Sequence, residues 1–380
     1  QTCHLAAVTG LEWLMPVPEP SYFQFDSYTS LIRVPLYLLR IRTESAEMNL
    51  RYPLVALLVV TTLTLSSCGN DSETQSLTVY SGRSEKLVGP IFDDFEAATG
   101  IDVAVRYGSS NDLALALSAE GDKTTADVFL SRSPGPIGYL DDLGMLSPLE
   151  AGVLARVDTR HRSPDGRWVG FAGRGRVLVY NIDEVAEADL PDSVFDLTRP
   201  AYQGQVAIPG SNSSFQDWFT VFRLRNGDEA AIAWLDAMVA NGSRFYPKNR
   251  AIVEAVGRNE VTFGLVNHYY NFQEIAANGD AQRSANHGFR PGDDGGLMII
   301  ATAAILKESD DQDLANRLVA HVLSNAQQRY LTNSVYEYPL ATGIDPSPVL
   351  PPIPSDSVGA VDIDHMAAEF QHTKIGRAHV

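Results

Sequence analysis

Cysteine is nearly absent from this 380-residue chain, with only Cys3 and Cys68. The first falls in a doubtful N-terminal extension and the second has another use, so no disulfide is expected in the folded part. Basic residues are scarce as well: 29 Lys and Arg face 47 Asp and Glu, a net charge of −18. That balance argues against nucleic acid or an anionic membrane surface as a partner, and solubility outside a cell is sufficient reason for it. The chain has no phosphate-cradling Walker pattern, no Gly-x-Ser-x-Gly elbow and no His-Glu-x-x-His, so the enzyme classes that depend on them are excluded. Its apolar run over 52–65 is too short to span a bilayer, which takes about 20 residues.

What that run does have is the order of a bacterial lipoprotein signal. Arg51 precedes it, and Leu65, the small pair Ser66 and Ser67, and Cys68 close it. An h-region is about 7–15 residues long, which fits. The expectation is a signal peptide over 48–67, lipid attachment at Cys68 and a polar tether over 68–76, with everything beyond exported to the periplasm or the outer face of the cytoplasmic membrane. The competing reading is a buried helix with Cys68 as an ordinary thiol. Residues 1–47 begin with Gln1 and carry no sustained period, so they are expected to be a non-native upstream extension. The last six, IGRAHV over 375–380, can be encoded by the opening bases of a common sequencing adapter and are read as an adapter-derived tail.

About 300 residues remain, enough for two domains. They open with a β-rich run over 77–80, a turn at Ser81, Gly82 and Arg83, and Ser84 as a helix N-cap. Leu87, Ile91, Phe95 and Ala98 keep a helical spacing until Gly100, with Pro90 expected to kink the helix or delay its start. Strands follow at 101–105 and 126–130 around a helix at 112–120. A second series places strands at 168–172, 176–181, 205–209 and 261–266, with helices at 215–224, 229–240 and 252–258. This alternation predicts parallel sheets covered by helices, with ligands at the carboxyl ends of strands.

One such end carries Asn267, His268, Tyr269 and Tyr270. Adjacent tyrosines are commonly rim packing. They are also hard anionic oxygen donors suited to Fe(III), because a phenol with a pKa near 10 ionises at neutral pH when a metal shares its charge. Two neighbours turn inward together only where the backbone leaves strand geometry, and a strand end is such a place. His268 is expected to make a structural hydrogen bond, His287 and His365 have no ligand spacing, and the acidic group over 310–313 reads as a solvated helix start.

Six stretches in order, VYSGRSE at 79–85, ADVF at 126–129, GRGRVLVY at 173–180, YPKN at 246–249, VNHYY at 266–270 and EYP at 337–339, make residues 77–372 resemble the ferric-binding members of the bacterial extracellular solute-binding proteins that feed ABC importers. The resemblance implies an α/β, two-lobed clamshell of the type II periplasmic-binding-protein kind, each lobe a mixed sheet flanked by helices. Lobe 1 is expected over 77–176 plus about 297–350, and lobe 2 over 177–296 plus about 351–374, with crossing strands near 176–180 and 301–306. It implies Fe(III) in the cleft on Tyr269 and Tyr270, with a synergistic carbonate, phosphate or citrate on Asn212, Ser213, Ser214, Asn249, Asn267 and Arg174. A start of a helix at 215 supports the anion seat independently, since its N–H groups and dipole favour an anion.

Two departures accompany the resemblance. Ser84 stands where many relatives carry a histidine ligand, and Arg132 where some carry a glutamate. Glu85 is a candidate replacement ligand, against the plainer reading of a solvated first-turn acid; for Arg132 the plain reading is a surface side chain. The function implied is a monomeric, lipid-anchored, non-enzymatic receptor that captures ferric iron or a ferric chelate and passes it to an ABC permease. The alternatives are a metal-free receptor for a phosphate-like or organic anion, on Arg174, Arg132, Asn249, Asn267 and the helix start, and an extracellular enzyme on the same lobes.

Overall fold

The computed structural model describes residues 75–352 together with Met366 and Glu369. The signal-like run, Cys68, residues 1–47 and the tail over 375–380 therefore lie outside the described residues. The strands are β1 (Ser76–Ser81), β2 (Asp102–Tyr107), β3 (Val128–Ser131), β4 (Leu146–Ser147), β5 (Val169–Asn181), β6 (Val206–Ile208), β7 (Arg244–Phe245), β8 (Phe263–Asn267), β9 (Ser284–His287), β10 (Met298–Leu306) and β11 (Tyr338–Pro339). The helices are α1 (Glu85–Thr99), α2 (Ser110–Glu120), α3 (Pro134–Asp142), α4 (Ala151–Leu154), α5 (Ser213–Asn226), α6 (Asp228–Ala240), α7 (Asn249–Gly257), α8 (Tyr269–Asn278), α9 (Gln312–Val322) and α10 (Asn325–Tyr330).

Strand order is β2-β1-β3-β10-β5-β8-β6-β7, with β4 beside β10 and both β9 and β11 beside β5. β1, β2 and β3 are mutually parallel, as are β6, β7 and β8, whereas β5 and β10 run against their neighbours. The two strands read at 168–172 and 176–181 are one strand of 13 residues. Its first part pairs with β10 and β11 and its last part with β8 and β9, so a single buried run serves both sets of strands. The expected crossing at 301–306 is corrected: that segment of β10 pairs with β3, β4 and the start of β5, wholly within the first set.

Local chemistry explains most boundaries. α1 starts after Ser84 and ends at Gly100, whose φ of 71° is the left-handed conformation that glycine adopts without penalty. Pro90 does not delay it; the ring sits exposed in the second turn. α9 begins where Asp311 accepts from the Leu314 N–H, the capping expected of the acidic group. At Gly173, where β10 and β11 flank β5, a Cβ would lie 2.5 Å from the Met298 sulfur, so the close approach of three strands requires glycine.

The core follows this layout. Val79, Val128, Phe129, Phe171, Ile300 and Ala304 are buried between the first strand set and its helices. Across α5 and α6, Trp218 packs on Phe222 and Trp234 with ring centroids 5.2 and 5.6 Å apart. A separate cluster of Val177, Val179, Ile252, Val256 and Val266 seats α7 on the second set.

One buried amide ties the residues after β11 to β5 and to the end of α9. Gln328, fully buried, donates to the carbonyls of Phe171 and Val322 at 3.0 and 3.1 Å, and its oxygen accepts from the Leu340 and Ala341 N–H groups at 3.0 and 3.1 Å. Gln328→Ala strands four buried backbone groups, and is expected to lower unfolding stability by about 2–4 kcal/mol, read as a shift in denaturant midpoint.

Candidate functional site

Four strand ends converge. β1 delivers Gly82 and Arg83, β3 delivers Arg132, β6 leads to Asn212, and β8 leads through His268 to Tyr269. All are carboxyl ends, where sheets with this parallel pairing place their ligands.

β8 is buried along its whole length, and the chain turns helical at His268, with φ −54° and ψ −39°. Because Tyr269 is already the first residue of α8, the two tyrosines escape strand alternation and their rings stack, with centroids 4.2 Å apart at 30°. Tyr269 is 2% exposed and Tyr270 is half-buried. Burial, and then the neighbouring Tyr269, push the Tyr270 phenol well above its ordinary range. A phenol shifted in this way gives up its proton only to a strongly polarising cation. His268 has the structural role expected of it: its Nδ1 lies 3.1 Å from the Gly175 N–H and its ring stacks on Tyr338. Burial lowers it to about 4, so it is neutral and accepts that bond.

Facing the pair is a basic floor. Arg174 and Arg176 are two apart on β5 and therefore share a face. Arg176 donates to the Ser214 carbonyl at 2.7 Å and to Asn249 Oδ1 at 3.3 Å; burial first, and Arg174 next, lower it to about 9. Arg174 is 1% exposed, and none of its three guanidinium nitrogens has a hydrogen-bond partner. Arg83 is buried in an ion pair with the fully buried Glu337. Arg132 is no surface side chain: it donates to the Gly82 carbonyl at 2.7 Å and to Ser213 Oγ at 3.1 Å, tying the end of β3 to the start of α5.

Four of the expected anion residues, Asn212, Ser214, Asn249 and Asn267, form one network with Arg176. Asn249 Oδ1 accepts from the Asn267 N–H at 3.1 Å, and Asn267 Nδ2 donates to Ser214 Oγ at 3.4 Å. Ser214 in turn donates to Asn212 Oδ1 at 2.6 Å. Asn212 also accepts from the Ser214 N–H at 3.1 Å, so its side chain caps its own helix and one amide of the expected anion seat is taken. Arg174 feels the charges of Arg83, Glu337, Tyr269 and Arg132, which puts it among the same groups. Glu85 is placed elsewhere: it is exposed on the first turn of α1, on the side of Tyr107, and Ser84 beside it is exposed as well. Among the described residues no three His, Cys, Asp or Glu side chains come together as a metal cluster.

Arg83, Glu337, Arg176 and Asp217 went unassigned in the sequence. The first two lie inside the matched stretches VYSGRSE and EYP, and Arg176 was legible from its two-residue spacing to Arg174. Asp217, in the first turns of α5, had no such signal. It is buried near Arg174, Arg132 and Arg176, and desolvation still raises its carboxyl to about 6.

Residues 123–359 match the model of the bacterial extracellular solute-binding proteins. The Fe(3+)-binding periplasmic protein of Serratia marcescens is 31% identical over 323 residues, 84% of this chain and 94% of that protein. Iron-bound HitA from Pseudomonas aeruginosa aligns with a TM-score of 0.75 at 31% identity, over 79% of this chain and 98% of the other. The Trichodesmium IdiA (FutA) structure with iron and citrate shares the fold at a TM-score of 0.67 and 22% identity, over 80% and 98% of the two chains. The chain belongs to the bacterial extracellular solute-binding protein family, whose members are solute-binding transport proteins and not enzymes. Its fold is the two-lobed type II clamshell of the ferric-binding proteins.

Asp217 gives this site a pH signature. A carboxyl raised from 3.8 to about 6 holds its proton in the folded state where the unfolded chain has lost it, so its contribution to stability falls as pH rises from about 4 to 6. Asp217→Asn is expected to raise the melting temperature of the ligand-free protein at pH 7 and to leave it unchanged near pH 3.5.

Proposed function

We propose that the protein is an exported substrate-binding protein of an ABC importer, anchored by lipid at Cys68, which captures Fe(III) between its lobes and delivers it to a membrane permease. The observation that carries this reading is the stacked Tyr269 and Tyr270 pair opposite an unpartnered, buried guanidinium. Two phenolate oxygens supply hard anionic ligands, and the floor of Arg174, Asn249, Asn267 and the Ser213 and Ser214 helix start receives a companion oxyanion. The names of the relatives support the iron assignment, since the Serratia protein is called Fe(3+)-binding and HitA was solved with iron.

The pairing of β5 supports a lobe division near residue 176, with the return near 297, where β10 begins. Lobe 1 then comprises 77–176 and about 297–350, and lobe 2 comprises 177–296 and the segment from about 351. Arg132 on Ser213 and Gln273 on the Val335 carbonyl, at 3.2 Å, link the two lobes and would part in a hinge opening. The protein works as a monomer, and protonation of the phenolates or exchange of the anion releases the iron.

A second reading, a metal-free receptor for a phosphate-like anion, draws on the unbonded nitrogens of Arg174. Calorimetry with phosphate in the absence of metal separates the two. Titration of the metal-stripped protein with a ferric chelate is expected to raise a tyrosinate-to-iron charge-transfer band that saturates at one iron per chain. The double substitution Tyr269→Phe and Tyr270→Phe should abolish the band and leave the circular dichroism spectrum intact; iron affinity retained in that variant sinks the ligand assignment.

A further inference from the structure

We propose that Arg250 is a positioning residue for Tyr270, and that Gln273 makes this hold depend on lobe closure, through one chain of contacts from the turn at Val335 to the phenol ring. The inference rests on the ferric reading and the lobe division above, and adds two residues that lie outside the anion network.

The two tyrosines are not held alike. Tyr269 is 2% exposed and meets the His268 ring edge to face at 5.9 Å, so packing fixes its orientation. Tyr270 is half-buried and packs only at the margin of the Val177, Ile252 and Val266 cluster. Two phenolates serve one ion only when both oxygens converge on it, so the less buried ring needs a further support. Arg250 supplies one: its guanidinium carbon lies 5.8 Å from the Tyr270 ring centre, within the range of a cation–π contact.

Arg250 is itself anchored on the helix that carries the tyrosines. Tyr270, Gln273 and Glu274 stand at i, i+3 and i+4 on α8 and so share a face. From the first turn of α7, Arg250 reaches across to that face. Its Nη2 donates to Gln273 Oε1 at 2.7 Å, and its Nη1 pairs with the buried Glu274. Asn278, a turn further along α8, donates to the other Glu274 oxygen at 3.2 Å. A planar guanidinium bonded at two nitrogens has little freedom left to rotate, so Arg250 is a fixed plate against which the ring is set.

Gln273 has two ends, and they go to different lobes. Its oxygen accepts from Arg250, while its Nε2 donates to the Val335 carbonyl at 3.2 Å. Val335 closes a π-helical turn, Leu331–Val335, and the next residue, Tyr336, has φ 65° and ψ 33°. Among the described residues only Asn259 shares a positive φ without being glycine, and asparagine tolerates it where tyrosine does not. Such strain persists only where the surroundings over-determine the backbone. Here Glu337 is ion-paired with Arg83, Tyr338 stacks on His268, and the Tyr336 ring packs on Phe272 of α8 at 5.9 Å. The strained turn thus presents one carbonyl to the side chain that steadies Arg250. Lobe opening withdraws that carbonyl, frees Gln273 and loosens the plate behind Tyr270, so closure and the setting of the second phenol are one event.

The test compares the metal-stripped full chain with its Arg250→Gln, Arg250→Lys and Gln273→Glu variants, each loaded with Fe(III) nitrilotriacetate and then challenged with excess EDTA. A cation over the ring draws electron density from the phenolate and raises the energy of the tyrosinate-to-iron transition. Arg250→Gln is therefore expected to move the band to longer wavelength and to weaken iron binding about tenfold, the scale of one cation–π contact. Arg250→Lys keeps the charge and should return the band toward its original position. Gln273→Glu keeps an acceptor for Arg250 and loses the donor to Val335, so the band should stay in place while release to EDTA becomes about tenfold faster, the loss of one hydrogen bond across the lobes. An unmoved band and affinity in Arg250→Gln, or release from Gln273→Glu as slow as from the unaltered chain, overturns the proposal and leaves the ferric receptor standing. A lowered melting temperature with band, affinity and release unchanged gives both residues a purely structural role and overturns it as well. No band in the unaltered chain, shown to be folded, overturns both readings.

Discussion

Burying Arg174 to 1% exposure with none of its nitrogens bonded is the costly arrangement on which the rest of the site depends. An isolated buried charge is worth several kcal/mol of lost solvation, and folded proteins keep one only where surrounding structure fixes it. Here β10 and β11 hold β5 from the first strand set and β8 and β9 hold it from the second. The strand cannot turn Arg174 out to water without disrupting that pairing. The fold therefore presents a standing demand for negative charge at the carboxyl ends of β1, β3, β6 and β8.

The neighbouring residues divide into those that share the demand and those that lessen it. Glu337 neutralises Arg83 directly, and both are buried. Asp217 offers a carboxylate to the other three arginines, yet desolvation leaves it titrating near 6, so it offsets them incompletely. Arg176 spends its Nη groups on the Ser214 carbonyl and Asn249 and works as a brace for the network of Asn249, Asn267 and Ser214. These differences separate an arginine that builds the site from one left for a ligand.

Much of this was legible from residue order. The β–α alternation set out the parallel strands, the glycine at 100 ended α1, and the tyrosine pair at the end of β8 suggested hard oxygen ligation. The elements misjudged share a cause: their structure depends on pairing partners distant in sequence. Nothing local in the run over 168–181 shows that one strand serves two sets, and β10 was placed at a crossing because a fully apolar strand does not reveal its neighbours. Arg132 read as surface because its partners, the Gly82 carbonyl and Ser213, come from other strand ends. Asp217 went unseen because a helical acid looks solvated until the helix is docked.

Arg174 pairs across to Ile299 on β10, whereas Arg176 pairs across to Asn267 on β8. The two guanidinium groups thus stand on either side of the point where β5 passes from one strand set to the other, with only Gly175 between them, and the Gly175 N–H is bonded to the histidine that precedes the tyrosines. Whatever pulls on either arginine applies torque to the one strand both halves share.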